Sequence, residues 1–536
     1  MSVRRRSSAM TAMQLLRTRS DLLAWRRAQR GPVHFVPTMG ALHAGHLSLI
    51  RRAAEPRGGG RPVVLVSVYV NPLQFGPQED FQRYPRDLDA DAGLAGGGGA
   101  QALFAPAVAE IQPGGEDALT RIQPPAALLR SLCAPGRPGH FEGVATVVVR
   151  LLALVRPQRL LLGEKDWQQL VILRRVLADL GLATVVEGCP TVREADGLAC
   201  SSRNSYLTSG ERRQAAVLPA ALRAIRASLT REPGADQPSA RLDDPATRLR
   251  QELEGAGAVV EYAQLVAAHS LAPLTHPRGL CVLAAAIRCG PSRLIDHTFL
   301  MSRSPIVAID GPAGAGKSTV TRALARRLGL LYLDTGAMYR AVTWWVRHQG
   351  VDPADAAAVG RCLEGLDLQL VVDRVGEPRV RINGHEVSEA IRGPQVTAQV
   401  SQVAAHGCVR EALTAQQRSM GQRGGLVAEG RDIGTAVFPD AELKVFLTAT
   451  VAERARRRAS DLEQRGFPVP PLAELEAQIA ERDHLDSTRE VAPLVQAADA
   501  EELVTDGMTI EAVIQALVDL FRQRVPEEAW PDPGPA

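Results

Sequence analysis

Two α/β units in tandem, the first built on a parallel, doubly wound sheet, are predicted by the 536-residue sequence, and three observations carry the prediction. Up to about residue 185, apolar runs of strand length alternate with stretches of helical spacing. From 186 to about 297 the order is mixed, which marks a smaller lobe. At 305 a short apolar run leads into Gly311-Pro312-Ala313-Gly314-Ala315-Gly316-Lys317-Ser318-Thr319 and then a helical pattern, so strand, glycine turn and helix begin a second unit.

Bulk composition narrows the function classes. With 45% hydrophobic and 23% charged residues the chain is an ordinary globular one. A net charge of +3, with arginines spread along the chain, gives no basic block for nucleic acid, and no apolar run approaches the ~18 residues of a membrane span. The seven cysteines never stand as C-x-x-C, so neither a disulfide framework nor a structural zinc site is indicated, and a reducing cytoplasm is expected. Residues 1–12 read as a disordered tail or as an early start, with Met10 or Met13 as the true one.

Taken in order, residues 13–31 have helical spacing ending at Gly31, and 32–37 form a strand. In the following Thr38-Met39-Gly40-Ala41-Leu42-His43-Ala44-Gly45-His46, the histidines three apart share one face of a helix start. Such a pair can meet an anion together with helix N–H groups, ligate a metal, or be two satisfied surface histidines; the place directly after a strand, between glycines, favours a functional role over the surface one. Residues 63–70 are the next strand, and Asn71 to Gly76 the loop at its carboxyl end, where Gln74 is either a buried amide or a substrate donor. Residues 96–99 read as a flexible glycine turn, 137–141 as a loop, 144–155 as a buried helix and 159–162 as a strand. Gly163-Glu164-Lys165-Asp166 ends that strand, and Gln168 and Gln169 enter a helix closed by Gly181. Cys200-Ser201-Ser202-Arg203 gathers two hydroxyls and an arginine, suited to an N-cap or to a triphosphate. A helix at 211–229, a polar loop at 234–245 and strands at 259–263 and 280–287 complete the lobe, and 296–304 reads as a weakly apolar linker.

In the second unit, the spacing Gly311, Gly316, Lys317, Ser318 turns backbone N–H groups onto phosphate oxygens, brings the lysine to the outer phosphates and offers the Ser318 hydroxyl to Mg²⁺. Only three lysines occur among 62 Lys plus Arg. Lys165 and Lys317 sit in glycine-flanked polar motifs, while Lys444 reads as an exposed strand position. Residues 364–395 alternate like strands and form an inserted lobe; a strand at 426–428 delivers Glu429-Gly430-Arg431-Asp432. The arginine-dense run 451–458 is either a solvated helix face or a mobile lid over a transferring phosphoryl group. Residues 525–536 read as a disordered, Pro-rich tail.

PTMGALHAGH, VNPLQFGPQEDFQRYPRD, RPGHFEGVATVV, LLGEKDWQQL and PTVREADGLACSSRNSYL, in this order, resemble the motifs of pantothenate synthetase, the ATP-dependent ligase of pantoate and β-alanine. The resemblance implies a Rossmann-like nucleotidyltransferase domain at 13–185, a small lobe at 186–297 and a pantoyl adenylate intermediate. It implies that Met39, Gly40, Ala41, Leu42, His43, Ala44, Gly45, His46, Gly163, Glu164, Lys165, Asp166, Val192, Cys200, Ser201, Ser202 and Arg203 bind ATP, that Gln74 and Gln169 hold pantoate, with Gln74 also near β-alanine, and that His46 is catalytic. Cys200 departs from the methionine usual in that family. GPAGAGKST, LDTGAMYRA, EGRDIGTAVFPDAELKVFL, RDHLDSTR and VAPLVQAADA resemble bacterial cytidylate kinase over 304–524, a P-loop nucleoside monophosphate kinase. That resemblance implies ATP on residues 311–319, Lys317 as a catalytic group, and CMP on Thr335, Arg340, Arg410, Arg431, Asp432, Arg482, Asp486 and Arg489. Arginines would take the phosphate, while Asp432 and Asp486 accept from base and ribose. A bifunctional enzyme using ATP and Mg²⁺ is therefore expected, with a linker at 298–303 and two independently active halves. Its partners are pantoate, β-alanine and CMP or dCMP, with no nucleic acid and no membrane; a homodimer through the ligase half is the assembly the resemblance admits. The rival readings are another carboxylate-adenylating ligase, a kinase for another monophosphate, and a non-catalytic nucleotide-sensing scaffold, which would show eroded motifs.

Overall fold

The computed structural model describes residues 13–57, 60–76, 81–116, 118–230, 244–372, 378–464, 466–489 and 491–533. They fall into two compact units, the first running through Ser302 and including Val525–Pro531, the second comprising Arg303–Arg524 and the residues from Asp532 on. No described helix is long and apolar enough to cross a membrane.

Strands β1 (Gln14–Leu16), β2 (Val33–Thr38), β3 (Val63–Val68), β4 (Ala102–Phe104), β5 (Arg159–Gly163) and β6 (Val185–Cys189) of the first unit form one sheet. Its order is β1-β4-β3-β2-β5-β6, with every pairing parallel. Helices Ala44–Ala54 and Leu88–Gly98 bury Leu49, Ile50 and Ala95 against Val36, Val64, Val66 and Leu103. Chain direction across the sheet reverses between β2 and β5, and their carboxyl ends open the crevice in which doubly wound sheets bind ligands. Beyond β6, an antiparallel sheet of β7 (Val259–Ala267), β8 (Leu280–Cys289) and β9 (Ser292–Met301) packs on helices Val217–Thr230 and Pro245–Gly255 through Leu218, Leu222, Leu249, Leu253 and Leu283.

In the second unit, β10 (Ile306–Asp310), β11 (Leu331–Asp334), β15 (Leu426–Gly430), β16 (Leu443–Thr448) and β17 (Glu501–Val504) form a parallel sheet ordered β11-β15-β10-β16-β17. The inserted lobe is an antiparallel sheet of β12 (Leu368–Val372), β13 (Pro378–Ile382) and β14 (His385–Glu386), joined through Leu368 and Ile382 to the core around Met338 and Val342. All seven cysteines are free; Cys133, Cys189, Cys200, Cys281 and Cys289 are buried, while Cys362 and Cys408 are partly exposed.

Several expectations change. Residues 14–16 pair with β4 as an edge strand, and the helix starts at Arg19 behind a Thr18–Asp21 capping box and ends at Ala28, short of Gly31. Helical spacing could not see β1, because three residues are too few to show a period. Gly96, Gly97 and Gly98 continue a helix, which only Gly99, at φ 107°, terminates. The run at 211–229 is two helices that break at Ala216. β6 belongs to the large sheet, so the lobe begins after Cys189. Residues 298–301, expected in the linker, complete β9, where alternation was masked because both faces are covered. Residues 1–12 and the loop at 231–243 lie outside the described residues. Within the expected C-terminal tail, Val525 is fully buried and Ala529 is 7% exposed, so at least these residues are packed. Lys444 is 7% exposed and paired with Asp499 at 2.8 Å, not a surface residue.

Candidate active sites

β2 ends in the histidine loop, and the helix that follows begins in an uncommon way. The His43 ring accepts from the Gly45 N–H through Nδ1 at 3.2 Å, and the His46 ring accepts from the His43 N–H through Nδ1 at 3.3 Å. Two imidazoles thus close a capping box ordinarily built from Ser or Thr with Glu. A neutral imidazole whose Nδ1 accepts must carry its proton on Nε2, so both rings present an Nε2–H donor away from the backbone. Burial, with Lys165 nearby, lowers His43 to about 4; burial, His43 and Lys165 lower His46 to about 3. Both are neutral donors at pH 7. Among the described residues no group of three or more His, Cys, Asp or Glu side chains could hold a metal ion.

The loop is held from below by Asp91, whose carboxylate accepts from Ala41 N–H at 3.1 Å and Leu42 N–H at 2.7 Å. Gly40 takes φ 87°, and a Cβ there would stand 2.8 Å from the Asp91 carboxylate, so glycine is required. Across the crevice, β5 delivers Gly163 to Asp166. Lys165, His140, Arg203 and Arg137 together hold the half-exposed Asp166 carboxylate below its usual range. A cleft of about 540 Å³ here is lined by Arg137, Lys165, Asp166, Ser201 and Arg203, and an adjoining one of about 490 Å³ by His140, Lys165, Asp166, Gln169 and Tyr262. Ser201 caps the short helix Ser202–Tyr206 by accepting from the Arg203 N–H, and Cys200 N–H donates to Val192 O at 2.9 Å. Gln74 donates to Met39 Sδ, while its carbonyl accepts from His140 Nδ1 at 2.7 Å, which ties the two expected substrate loops together. Gln168 has its amide occupied by Cys133, Leu128 and Ser131 and serves the core.

In the second unit, Gly311, Gly314 and Gly316 have φ of 148°, 77° and 84°, and a Cβ on Gly311 would lie 2.0 Å from Leu447 O. Lys317 Nζ donates to Gly311 O at 2.7 Å and Pro312 O at 2.9 Å. Two arginines of the dense run reach the same loop, Arg454 to Ala313 O at 3.0 Å and Arg457 to Ala315 O at 3.3 Å. That helix face is not simply solvated. At the end of β15, Arg410 pairs with Asp432, Arg431 Nε donates to Asp486 at 2.9 Å, and Arg489 lies 3.6 Å from Asp432. Burial and the neighbouring arginines lower both Arg482 and Arg489. Buried nitrogens of Arg410, Arg482 and Arg489 have no protein acceptor, as expected of a pocket that takes an anion. Thr335 donates to Glu429 O at 2.6 Å, positioning the end of β15, and Arg340 lies near Arg482.

Family comparison decides what these sites belong to. The pantoate-beta-alanine ligase family model matches residues 10–299, and the cytidylate kinase family model residues 307–523. A bifunctional pantoate ligase/cytidylate kinase of Prochlorococcus marinus (strain MIT 9313) is 64% identical over 513 residues, covering 95% of this chain and 99% of its own. One from Parasynechococcus marenigrum (strain WH8102) is 63% identical over 520 residues, covering 97% and 100%. The chain belongs to the bifunctional pantoate ligase/cytidylate kinase family. Among solved structures, the ligase half is similar to pantothenate synthetase from Thermus thermophilus, 43% identical over 53% of this chain and 98% of that one, with a TM-score of 0.48.

Three residues of these two halves escaped the sequence reading. In the ligase half Asp91 is one of two acidic residues on an Ala/Gly-rich helix, and its burial at 2% exposure has no local signature. In the kinase half Asp310 receives the Ile433 and Gly434 N–H groups at 2.8 and 2.7 Å. Burial, then Asp334, raises Glu429, while Lys317 lowers it. Both carboxylates end parallel strands beside the phosphate loop, the one signal that could have found them.

Proposed function

We propose that the ligase half works through a pantoyl adenylate. A pantoate carboxylate oxygen attacks the α-phosphorus of ATP, the Pα–O–Pβ bond breaks and pyrophosphate leaves with the electron pair. The β-alanine amine then attacks the acyl carbon, releasing AMP and forming pantothenate. The observation that carries this reading is the pair of neutral Nε2–H donors at the switch point of the sheet, with Lys165 nearby. Negative charge accumulates on the phosphates as the acyl phosphate bond forms, and donors placed beforehand stabilise it. His46 is the catalytic group, His43, Lys165, Ser201, Ser202 and Arg203 bind phosphates, and Gln74 and Gln169 orient pantoate. A homodimer through this half remains the expected assembly.

The kinase half transfers the γ-phosphoryl group of ATP to CMP or dCMP. Its phosphate loop and Lys317 hold the donor, and the arginine pocket holds the acceptor phosphate. Mg²⁺ fits this site: the Ser318 hydroxyl faces Glu429, whose buried Oε2 has no hydrogen-bond partner. When bound, the ion would neutralise phosphate charge, and Ser318 and Glu429 would hold it.

The test supplies ATP with pantoate plus β-alanine, then with each nucleoside monophosphate in turn, and identifies the products. Pantothenate with AMP, and CDP or dCDP, are expected; a different acyl product or a preference for UMP, GMP or AMP overturns the respective half. Asp432→Asn should weaken CMP discrimination more than ATP binding, because the amide offers a donor where cytosine needs an acceptor. Equal losses for CMP and ATP would move Asp432 from base recognition to support of Arg410.

A further inference from the structure

Residues Val525–Pro531 follow the last helix of the kinase half, Ile510–Arg524, yet they belong to the compact unit of the ligase half. Both family matches end before them, at 299 and 523. Their contacts fall on the elements expected to hold ATP. Glu164, 1% exposed, receives two consecutive backbone N–H groups, Glu527 on Oε1 and Glu528 on Oε2, each at 3.1 Å. The Glu528 carboxylate in turn accepts from the Thr191 N–H at 2.6 Å, one residue before Val192. Glu527 pairs at 3.3 Å with Arg52 on the helix that His43 caps.

We propose that residues 526–530 are a positioning segment of the ligase's ATP site, which fixes the Gly163–Asp166 loop, the Thr191–Val192 turn and the histidine-capped helix relative to one another. The proposal rests on the reading of those three elements as the ATP site. A buried carboxylate needs donors, and two N–H groups of one short segment supply them. Burial and the Glu528 charge push Glu164 up to about 7, while the two N–H groups pull it back. With the segment gone, Glu164 must take up a proton or turn towards water, and Lys165, its neighbour in sequence, loses its fixed place. A ligase fragment ending at Ser302 therefore lacks part of its own site, against the expectation of two self-sufficient halves.

The test compares the full chain with a chain ending at Val525, following pyrophosphate release and CMP phosphorylation against ATP concentration. The expected result is an ATP KM for the ligase raised about tenfold or more, with kcat changed much less and the kinase unaltered. A synthetic peptide of residues 525–531 should restore the KM saturably, and a scrambled peptide should not. Glu528→Ala, which keeps the backbone donors but removes the acceptor for Thr191, should raise the KM by a smaller factor. An unchanged ATP KM, or a drop in kcat and Tm at constant KM, overturns the proposal and leaves the segment a packing element. Lys165→Ala in the full chain separates the two levels. If that change also leaves ATP affinity intact, the reading of residues 163–166 as an ATP loop fails and the proposal with it; if only the truncation is silent, the proposal alone fails.

Discussion

Lys317→Arg is expected to cut CMP phosphorylation by roughly 10²–10³, the scale of losing one positioned phosphate donor, while pantothenate formation proceeds unchanged. Arginine is common in this chain, so the substitution looks conservative. The site argues otherwise. Lys317 is 8% exposed, and its ammonium is folded back onto the carbonyls of Gly311 and Pro312 at 2.7 and 2.9 Å. A planar guanidinium is wider than an ammonium, and its five donors cannot all find acceptors in that space. Burial, then Arg431, pushes the lysine pKa down, while Glu429 and Asp310 push it up. The net effect holds the lysine well below its usual value, with the two carboxylates opposing the burial. Both activities would be measured on the full-length variant with Tm as a folding check. Kinase turnover within about threefold of the parent would show that Lys317 is not a phosphate ligand.

His46→Ala should slow pyrophosphate release from ATP and pantoate by about 10² and leave the kinase untouched. An unchanged rate would make the histidine a capping residue only. The pH profile offers an independent check. His43 and His46 are held at about 4 and about 3, so neither gains a proton between pH 5 and 8, and adenylation should show no acid limb centred near 6.5. The sign for stability follows from the same shift. Below pH 6.5 the unfolded chain takes up protons on these histidines that the folded one refuses, so their share of the stability is complete above 6.5 and is lost as the pH falls towards 4 and 3. An inflection of ligase activity near 6.5 that vanishes in His46→Ala would show that the ring works as a titrating base instead.

How much of this was legible in the sequence depended on the range over which each feature is encoded. Phosphate loop, histidine loop and the GEKD turn are contiguous, and their chemistry follows from spacing within about ten residues. Strands such as Val63–Val68 and Ile306–Asp310 were visible because burial on both faces makes them uninterrupted apolar runs. Asp91 was not legible, since its meaning depends on a chain separation of 49 residues bringing it beneath Leu42. Residues 525–531 were less legible still. Their proline content imitates a disordered tail, and the carboxylate that anchors them lies 363 positions away from Glu527. Lys444 failed differently: a lone charge in a strand is usually on the solvent side, and only the tertiary partner Asp499 reveals a buried amphipathic stem.

The distribution of thiols turns the two halves into separately readable objects. Five of the seven cysteines are buried in the ligase half, while the partly exposed pair, Cys362 and Cys408, lies in the kinase half. A chromogenic disulfide reagent added to the folded protein should therefore titrate the kinase pair first. As denaturant rises, each further equivalent of reagent consumed reports opening of the ligase half, without any engineered label and with the kinase signal already spent.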